Sequence, residues 1–198
     1  MSTELTFRLI AFLILIITFG ISGYYRRKAN IGGGDRIDYS EEDQRYFRLR
    51  SIGALLFYGS MLAFLIYPPL IAWAQVDLPL WLRWTALGIL ASMVPAFYWL
   101  FSSLGKNITP TVKIRAEHQL VIHGPYKYIR HPLYTFGFIN FIAFTLLAAN
   151  WFMLLTALLT FSVLLQRTPQ EEAKLLERFG DQYRLYMQRT GRYLPRIG

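Results

Sequence analysis

The sequence predicts an all-α integral membrane protein with about five transmembrane helices, of which the last two form a hairpin. Hydrophobic residues make up 54% of the chain and aromatic residues 17%. The mean hydropathy is positive, and residues 132–166 carry no charged side chain. Such aromatic enrichment is typical of side chains at membrane–water interfaces. The absence of cysteine excludes disulfides, cysteine-ligated metals and a cysteine nucleophile.

Three spans are predicted in the first half of the chain, at residues 5–25, 51–76 and 80–105. The first has no basic segment before it and no small-residue cleavage site after it, so we expect a retained signal-anchor helix. Pro68 and Pro69 end or kink the second span, and Pro95 is expected to kink the third.

The long uncharged run at residues 132–166 predicts a helical hairpin. As one straight helix it would extend roughly 52 Å at 1.5 Å per residue, whereas the hydrocarbon core of a bilayer is only about 30 Å thick. The run must therefore fold back on itself, and Asn150 is the natural turn residue.

The distribution of basic residues predicts the orientation. Of the 21 Lys and Arg residues, 19 fall within residues 26–50, 106–131 and 167–198. With five spans, all three regions lie on one face, which the positive-inside rule makes cytoplasmic, with the N-terminus outside. This topology explains the net charge of +9 without nucleic acid as a partner.

A polar, aromatic and basic stretch, residues 123–134, directly precedes the hairpin. Gly124-Pro125 interrupts any incoming helix, and Pro132 is well placed in the first turn of the next one. Two of the three histidines of the chain lie in this stretch. An ordinary interfacial loop with anchoring Tyr and Arg side chains is the alternative interpretation.

The sequence after the hairpin predicts a separate amphipathic helix on the cytoplasmic surface. Thr168 fits an N-cap, Pro169 the first helical position, and Glu171 the acidic residue of a capping box. Alternatively, Glu171 only caps this helix and Arg167 only anchors it. The apolar stripe of the helix consists of Leu175, Leu176, Phe179, Tyr183 and Tyr186.

The hairpin brings its two ends together, so His131 and Tyr134 are expected to face Arg167 and Glu171 across one cytoplasmic pocket. A fixed cation and a fixed anion beside a lipid-facing cleft suit an amphiphilic substrate and a polar, charged cofactor.

Several motifs in residues 105–198 resemble the isoprenylcysteine carboxyl methyltransferase family, which is related to phospholipid methyltransferases. They are His118-Gln119-Leu120-Val121, Gly124-Pro125-Tyr126, Arg130-His131-Pro132-Leu133-Tyr134, Glu171-Glu172, Phe179-Gly180, Tyr183, Tyr186 and Arg192-x-x-Pro195. The resemblance implies one membrane-embedded methyltransferase domain over residues 1–198. Its first 105 residues would supply three transmembrane helices, and residues 106–198 a non-Rossmann site for S-adenosylmethionine.

The resemblance also implies roles for individual residues. The cofactor-binding set would be His118, Gln119, Leu120, Val121, Tyr126, His131, Pro132, Leu133, Tyr134 and Glu171. Arg167 would bind the substrate and act in catalysis, since a guanidinium can orient an acceptor carboxylate. No metal is implied.

The methyl acceptor stays open at this stage. A prenylcysteine carboxylate is favoured, and a phospholipid amine or a smaller hydrophobic acid is the alternative. Phe136 and Phe138 are expected to influence acceptor preference. Two interpretations without catalysis also remain: a membrane scaffold whose basic face binds anionic lipid, and a small transporter. The sequence predicts no particular oligomeric state.

Overall fold

The computed structural model describes residues 2–31, 44–105 and 120–196, and these ranges are almost entirely helical. The helices are α1 (Thr3–Ile31), α2 (Gln44–Ile66), α3 (Leu80–Leu104), α4 (Pro132–Ala148), α5 (Trp151–Phe179) and α6 (Asp181–Arg189). Short 3-10 helices occupy Pro68–Ala74 and Gly124–Lys127. No strand occurs within the described ranges.

Four of the described helices, α1, α2, α3 and α5, are long and apolar enough to cross a membrane. The remaining predicted span, α4, is apolar but has only 17 residues. The predicted all-α, multi-pass membrane fold is thereby confirmed, with a fifth span at the short end of what a bilayer requires.

The predicted hairpin turn lies at Asn150. Ala149 adopts a left-handed conformation with φ 49°, which reverses the chain after α4. The Asn150 side chain then accepts a hydrogen bond from the Met153 N–H and caps the start of α5. Its amide also donates to the carbonyl of Ile71 at 3.0 Å, which fixes the turn against the first 3-10 helix.

Polar contacts at this end of the bundle establish the direction of each helix. Nη2 of the buried Arg83, in the first turn of α3, lies 2.9 Å from Oε2 of Glu4 at the start of α1. Nε of Arg83 donates to the carbonyl of Leu147 at the end of α4, and Arg8 donates to the carbonyl of Leu65 at the end of α2. The start of α2, the end of α3, the start of α4 and the end of α5 therefore lie together at the opposite end. We call it the basic end, because it carries Arg26, Arg50, Arg130 and Arg167.

The antiparallel helices α2 and α5 approach closely at Gly53. A Cβ atom at this position would lie 2.5 Å from Oγ1 of Thr160. The Thr160 hydroxyl donates to the carbonyl of Thr156, so it is held in place. Gly53 therefore fixes the register between the two helices.

The predicted helix start at Thr168 is wrong, because α5 runs without a break from Trp151 to Phe179 and includes Pro169. The Thr168 hydroxyl donates to the carbonyl of Leu164, as it does in a helix interior. Proline removes one helix hydrogen bond, but the turns of α5 on both sides are packed against the bundle and maintain the helix. The break comes at Gly180, where φ is 51°, and α6 follows with Tyr183 and Tyr186 buried.

Candidate active site

The second 3-10 helix positions the polar stretch at the end of α3. Gly124 has φ 62°, and a Cβ atom there would lie 2.0 Å from Oγ of Ser103, so only glycine fits. After this turn His131 occupies the N-cap position of α4 and Pro132 the first helical position. His131 and Tyr134 then lie one turn apart, with nearly parallel rings whose centroids are 5.6 Å apart.

The Glu171 carboxylate joins side chains from both arms of the hairpin. The Tyr134 hydroxyl donates to its Oε1 at 2.7 Å, and Nε of Arg167 lies 3.0 Å from the same oxygen. Nδ1 of His131 lies 3.8 Å from Oε2. The two ends of the hairpin therefore meet, and His131, Tyr134, Arg167 and Glu171 form one cluster, as the sequence predicts.

Glu172, the next residue, is only 3% exposed and contacts a different set of side chains, of which only His131 belongs to this cluster. Its Oε1 accepts from Nε of Arg130 at 3.0 Å and lies 3.2 Å from Nε2 of His131. Its Oε2 accepts from Nη2 of Arg192 at 2.5 Å. Sequence reasoning missed this role, although the Glu-Glu pair was a usable signal. Adjacent residues of a helix point in directions about 100° apart, so they contact different partners.

The segment after α6 returns to the His-Pro turn and forms one side of it. The backbone N–H of His131 donates to the carbonyl of Arg192 at 3.0 Å. The Thr135 hydroxyl donates to the carbonyl of Tyr193, and the Tyr193 hydroxyl donates to Oγ1 of Thr168, both at 2.7 Å. This segment therefore holds the start of α4 against α5.

Three tyrosines line or support the site on its other side. Tyr126 contributes to the site wall, and its carbonyl accepts a hydrogen bond from the Tyr186 hydroxyl at 2.7 Å. Burial raises the pKa of Tyr126, Tyr183 and Tyr186 above the ordinary value of 10.0, so all three are neutral phenols near pH 7. The Tyr183 hydroxyl is buried and has no hydrogen-bond partner within the described part of the chain.

A cavity of about 880 Å³ extends from this polar cluster into the interior of the bundle. Its polar end is lined by Arg26, Arg50, Tyr126, Arg130, His131, Tyr134, Arg167 and Glu171. Its apolar part is lined mainly by Ala11, Ile14, Leu15, Phe57, Met61, Leu90, Phe97, Phe141, Phe144 and Phe161. Charged groups and a long apolar channel thus belong to one continuous space.

The predicted site residues divide into three groups. Tyr126, His131, Leu133, Tyr134, Arg167 and Glu171 line the cavity. Pro132 is buried in the first turn of α4, and Leu120 and Val121 are half-buried; none of these three is among the described lining residues. His118 and Gln119 lie outside the described residues.

The aromatic residues singled out on α4 do not line the cavity either. Phe136 packs beside Phe97, and Phe138 packs beside Phe161. The face of α4 that lines the cavity recurs at intervals of three and four residues, as one helix face does. It consists of Leu133, Tyr134, Gly137, Asn140, Phe141 and Phe144.

Comparison with known proteins gives a consistent set of similarities. The model of the isoprenylcysteine carboxyl methyltransferase (ICMT) family matches residues 84–177. A protein-S-isoprenylcysteine O-methyltransferase of Schizosaccharomyces pombe is 36% identical over 86 residues, which are 43% of this chain and 36% of the relative. Protein-S-isoprenylcysteine O-methyltransferase B of Arabidopsis thaliana is 33% identical over 94 residues, which are 46% of this chain and 48% of the relative.

A solved structure of the eukaryotic intramembrane Ras methyltransferase ICMT is also similar. Its TM-score is 0.53 at 25% sequence identity, and the match covers 81% of this chain and 55% of that protein. The chain therefore spans between about a third and just over half of the length of these relatives.

Proposed function

We propose that this chain methylates the carboxylate of a prenylcysteine-like lipophilic acceptor. The proposal starts from the match of residues 84–177 to the model of the isoprenylcysteine carboxyl methyltransferase family. The relatives named above are methyltransferases of protein S-isoprenylcysteine. The methyl donor of the proposed reaction is S-adenosylmethionine. The whole of residues 1–198 would act as one membrane-embedded domain, with residues 106–198 supplying most of the donor site.

The observation that carries this proposal is the continuity of the cavity. A prenylcysteine has a carboxylate at one end and a long hydrocarbon chain at the other. The polar end of the cavity offers Arg167, and its walls continue inward along α4 from Tyr134 to Phe144. The helix rises about 15 Å from Tyr134 to Phe144 at 1.5 Å per residue. The prenyl chain would lie in this apolar part, where its burial stabilises the complex by about 25 cal/mol per Å² of apolar surface.

The side chains at the polar end fit the proposed donor. S-adenosylmethionine carries an ammonium group, a carboxylate, ribose hydroxyls, an aromatic base and a sulfonium. Glu171 is an acceptor for the ammonium or the hydroxyls, and the rings of Tyr126 and Tyr134 offer faces for a sulfonium or an adenine. His118 and Gln119 are proposed to complete the donor site.

When bound, S-adenosylmethionine supplies a methyl group on a positively charged sulfur, which departs as a neutral sulfide. Arg167 would hold the acceptor carboxylate by charge-assisted hydrogen bonds and orient one of its oxygens. The nearly parallel rings of His131 and Tyr134 would form one wall and exclude water from the reacting oxygen. A carboxylate is already deprotonated, so the reaction requires no general base.

The alternative acceptor, a phospholipid amine, would need a base to remove a proton. The candidates are His131, which lies against Glu172, Tyr134, which donates to Glu171, and Glu171, which lies close to Arg167. The guanidinium of Arg167 in the cavity wall favours an anionic acceptor over an amine. The basic end would face the cytoplasm, as the positive-inside rule predicts, with the N-terminus on the other side.

The test is methyl transfer by the detergent-purified protein from radiolabelled S-adenosylmethionine to an N-acetyl-S-prenylcysteine. Methyl esters release methanol in alkali, whereas methylated amines do not, so the two acceptor classes are distinguished chemically. The control acceptors are the amide of the same prenylcysteine and phosphatidylethanolamine. Alkali-labile label in the acid alone is expected. Stable label in the phospholipid would contradict the proposal, as would no transfer by a folded, donor-binding sample.

A further inference from the structure

Asn140 lies within α4, on the face of this helix that lines the cavity. It comes six residues after Tyr134, so its Cα lies about 9 Å further into the bundle along the helix axis. The Asn140 side chain is half-buried. A polar side chain at this depth of a membrane-spanning bundle is costly unless it is bonded, and it commonly marks a binding site.

The Asn140 amide makes no hydrogen bond to any residue of the described ranges. Other polar side chains in this part of the bundle are satisfied locally. The hydroxyls of Thr18, Thr145 and Thr160 each donate to the carbonyl four residues earlier in their own helix. The Asn140 amide carries two N–H donors and an acceptor oxygen, and these remain available to a molecule in the cavity.

Tyr58 of α2 provides a second polar group at the same level. Its ring meets the ring of Phe141, the residue after Asn140, edge to face with centroids 5.7 Å apart. Tyr58 also lines the cavity, and its hydroxyl has no hydrogen-bond partner within residues 2–31, 44–105 and 120–196. An amide and a phenol from two different helices therefore belong to one layer of the cavity wall.

Aromatic rings surround these two groups. Phe57 and Phe141 are stacked with centroids 4.0 Å apart, and the ring of Phe161 lies 5.3 Å from that of Phe141. Phenylalanine rings carry no oxygen or nitrogen atom, so only the contents of the cavity can satisfy the amide and the phenol. A plain hydrocarbon chain would displace water and leave both groups unpaired, which weakens its binding. An oxygen atom on that chain would accept from their donors and remove this penalty.

We propose that Asn140 and Tyr58 bind an oxygen atom in the chain of the lipophilic acceptor, so that the preferred acceptor is an acid whose chain carries an ether, hydroxyl or carbonyl group. The inference rests on the proposed function for the carboxylate end of this ligand and specifies its chain. A plain prenyl chain fits the same space but leaves the amide and the phenol without partners.

The test measures calorimetric affinities of the detergent-purified protein for N-acetyl-S-dodecylcysteine and for derivatives in which one ether oxygen replaces a single methylene at successive positions. An ether oxygen should weaken binding at most positions, since it reduces the apolar surface that is buried. At one internal position it should bind about tenfold more tightly than at the neighbouring positions, as one hydrogen bond to a buried group provides.

Asn140→Leu is expected to reduce this maximum to less than twofold while the plain chain binds at least as tightly as before. Tyr58→Phe removes one oxygen atom and keeps the ring contacts, so it should fold normally and lower the maximum. Gln166→Leu is the matched control, because it replaces an amide by leucine at an exposed position of α5 that does not line the cavity. It should keep the maximum.

A flat series in the wild type would overturn the inference, as would an unchanged maximum in folded Asn140→Leu or in Tyr58→Phe. These outcomes are independent of turnover. A maximum that both variants lower, without methyl transfer to any member of the series, would reject the proposed function alone. Methyl transfer together with a flat binding series would reject this inference alone.

Discussion

Nε2 of His131 lies 3.2 Å from Oε1 of Glu172, so the histidine of the His-Pro turn is held by a carboxylate that does not line the cavity. The other ring nitrogen faces Glu171, which does line it. His131 thus connects two adjacent glutamates with different surroundings. Glu172 holds the turn and the C-terminal segment together, whereas Glu171 faces the space where a ligand would bind.

Glu172→Gln is expected to destabilise the protein more than Glu171→Gln. The first change leaves Arg130 and His131 beside a neutral amide in a buried site, a loss of about 3 kcal/mol or more. Glu171 is more exposed, at 19% of its side chain compared with 4% for Glu172, so its loss costs less stability. Thermal unfolding in one detergent measures the difference.

Donor binding by calorimetry should show the reverse order in folded samples, with Glu171→Gln the weaker binder. Equal melting temperatures would contradict the assignment.

The cavity face of α4 predicts which substitution limits the length of the acceptor chain that the cavity can hold. Gly137 lines the cavity, and a Cβ atom there would lie 3.4 Å from Cζ of Phe161, so a leucine side chain must project into the open space. Gly137→Leu is expected to raise KM about tenfold for a long prenylcysteine and little for a short one, since overpacking costs about 1–3 kcal/mol.

Gly59→Leu is the matched control, because Gly59 lies on α2 with no atom within 4 Å of an added Cβ. It should change neither KM. An equal rise of KM for both chain lengths, or weaker donor binding in Gly137→Leu, would place the chain elsewhere.

The contact between Gly53 and Thr160 predicts a double-mutant cycle. Gly53→Ala places a Cβ atom 2.5 Å from Oγ1 of Thr160 and is expected to destabilise the protein by about 1–3 kcal/mol. Thr160→Ala removes that oxygen, so the double variant should recover most of the lost stability. Urea or thermal unfolding in detergent measures each variant. Strict additivity of the two single changes would show that the helices are not in contact at this register.

Much of the fold was predictable because the spans and the turn depend on local chemistry. The 35 uncharged residues at 132–166 exceed one membrane crossing, and Asn150 was the polar residue able to cap a new helix. From that hairpin alone it followed that His131 and Tyr134 approach Arg167 and Glu171.

Where the prediction failed, the deciding interactions lie far apart in the chain. The local signal at Thr168 and Pro169 favoured a helix start, yet packing kept α5 continuous. The role of Glu172 depends on Arg192, which returns to the site only after α6. The lining face of α4 depends on which neighbours surround it, and composition gives no such information for a helix that is apolar on all sides.

The buried Tyr183 hydroxyl predicts a loss of stability in alkali. Burial raises the pKa of Tyr183 above its ordinary value of 10.0. The folded state therefore binds the phenolic proton more tightly than the unfolded state, and stability falls as the pH rises above about 10. Since the hydroxyl has no partner among the described residues, Tyr183→Phe should cost little stability at pH 7 and flatten the decline between about pH 9.5 and 11. Melting temperatures of the two proteins across this pH range test the prediction. The control is Tyr193→Phe at a half-buried position. The Tyr193 hydroxyl donates to Thr168, so its loss should lower stability already at pH 7. An alkaline decline as steep in Tyr183→Phe as in the wild type would exclude Tyr183 as a contributor.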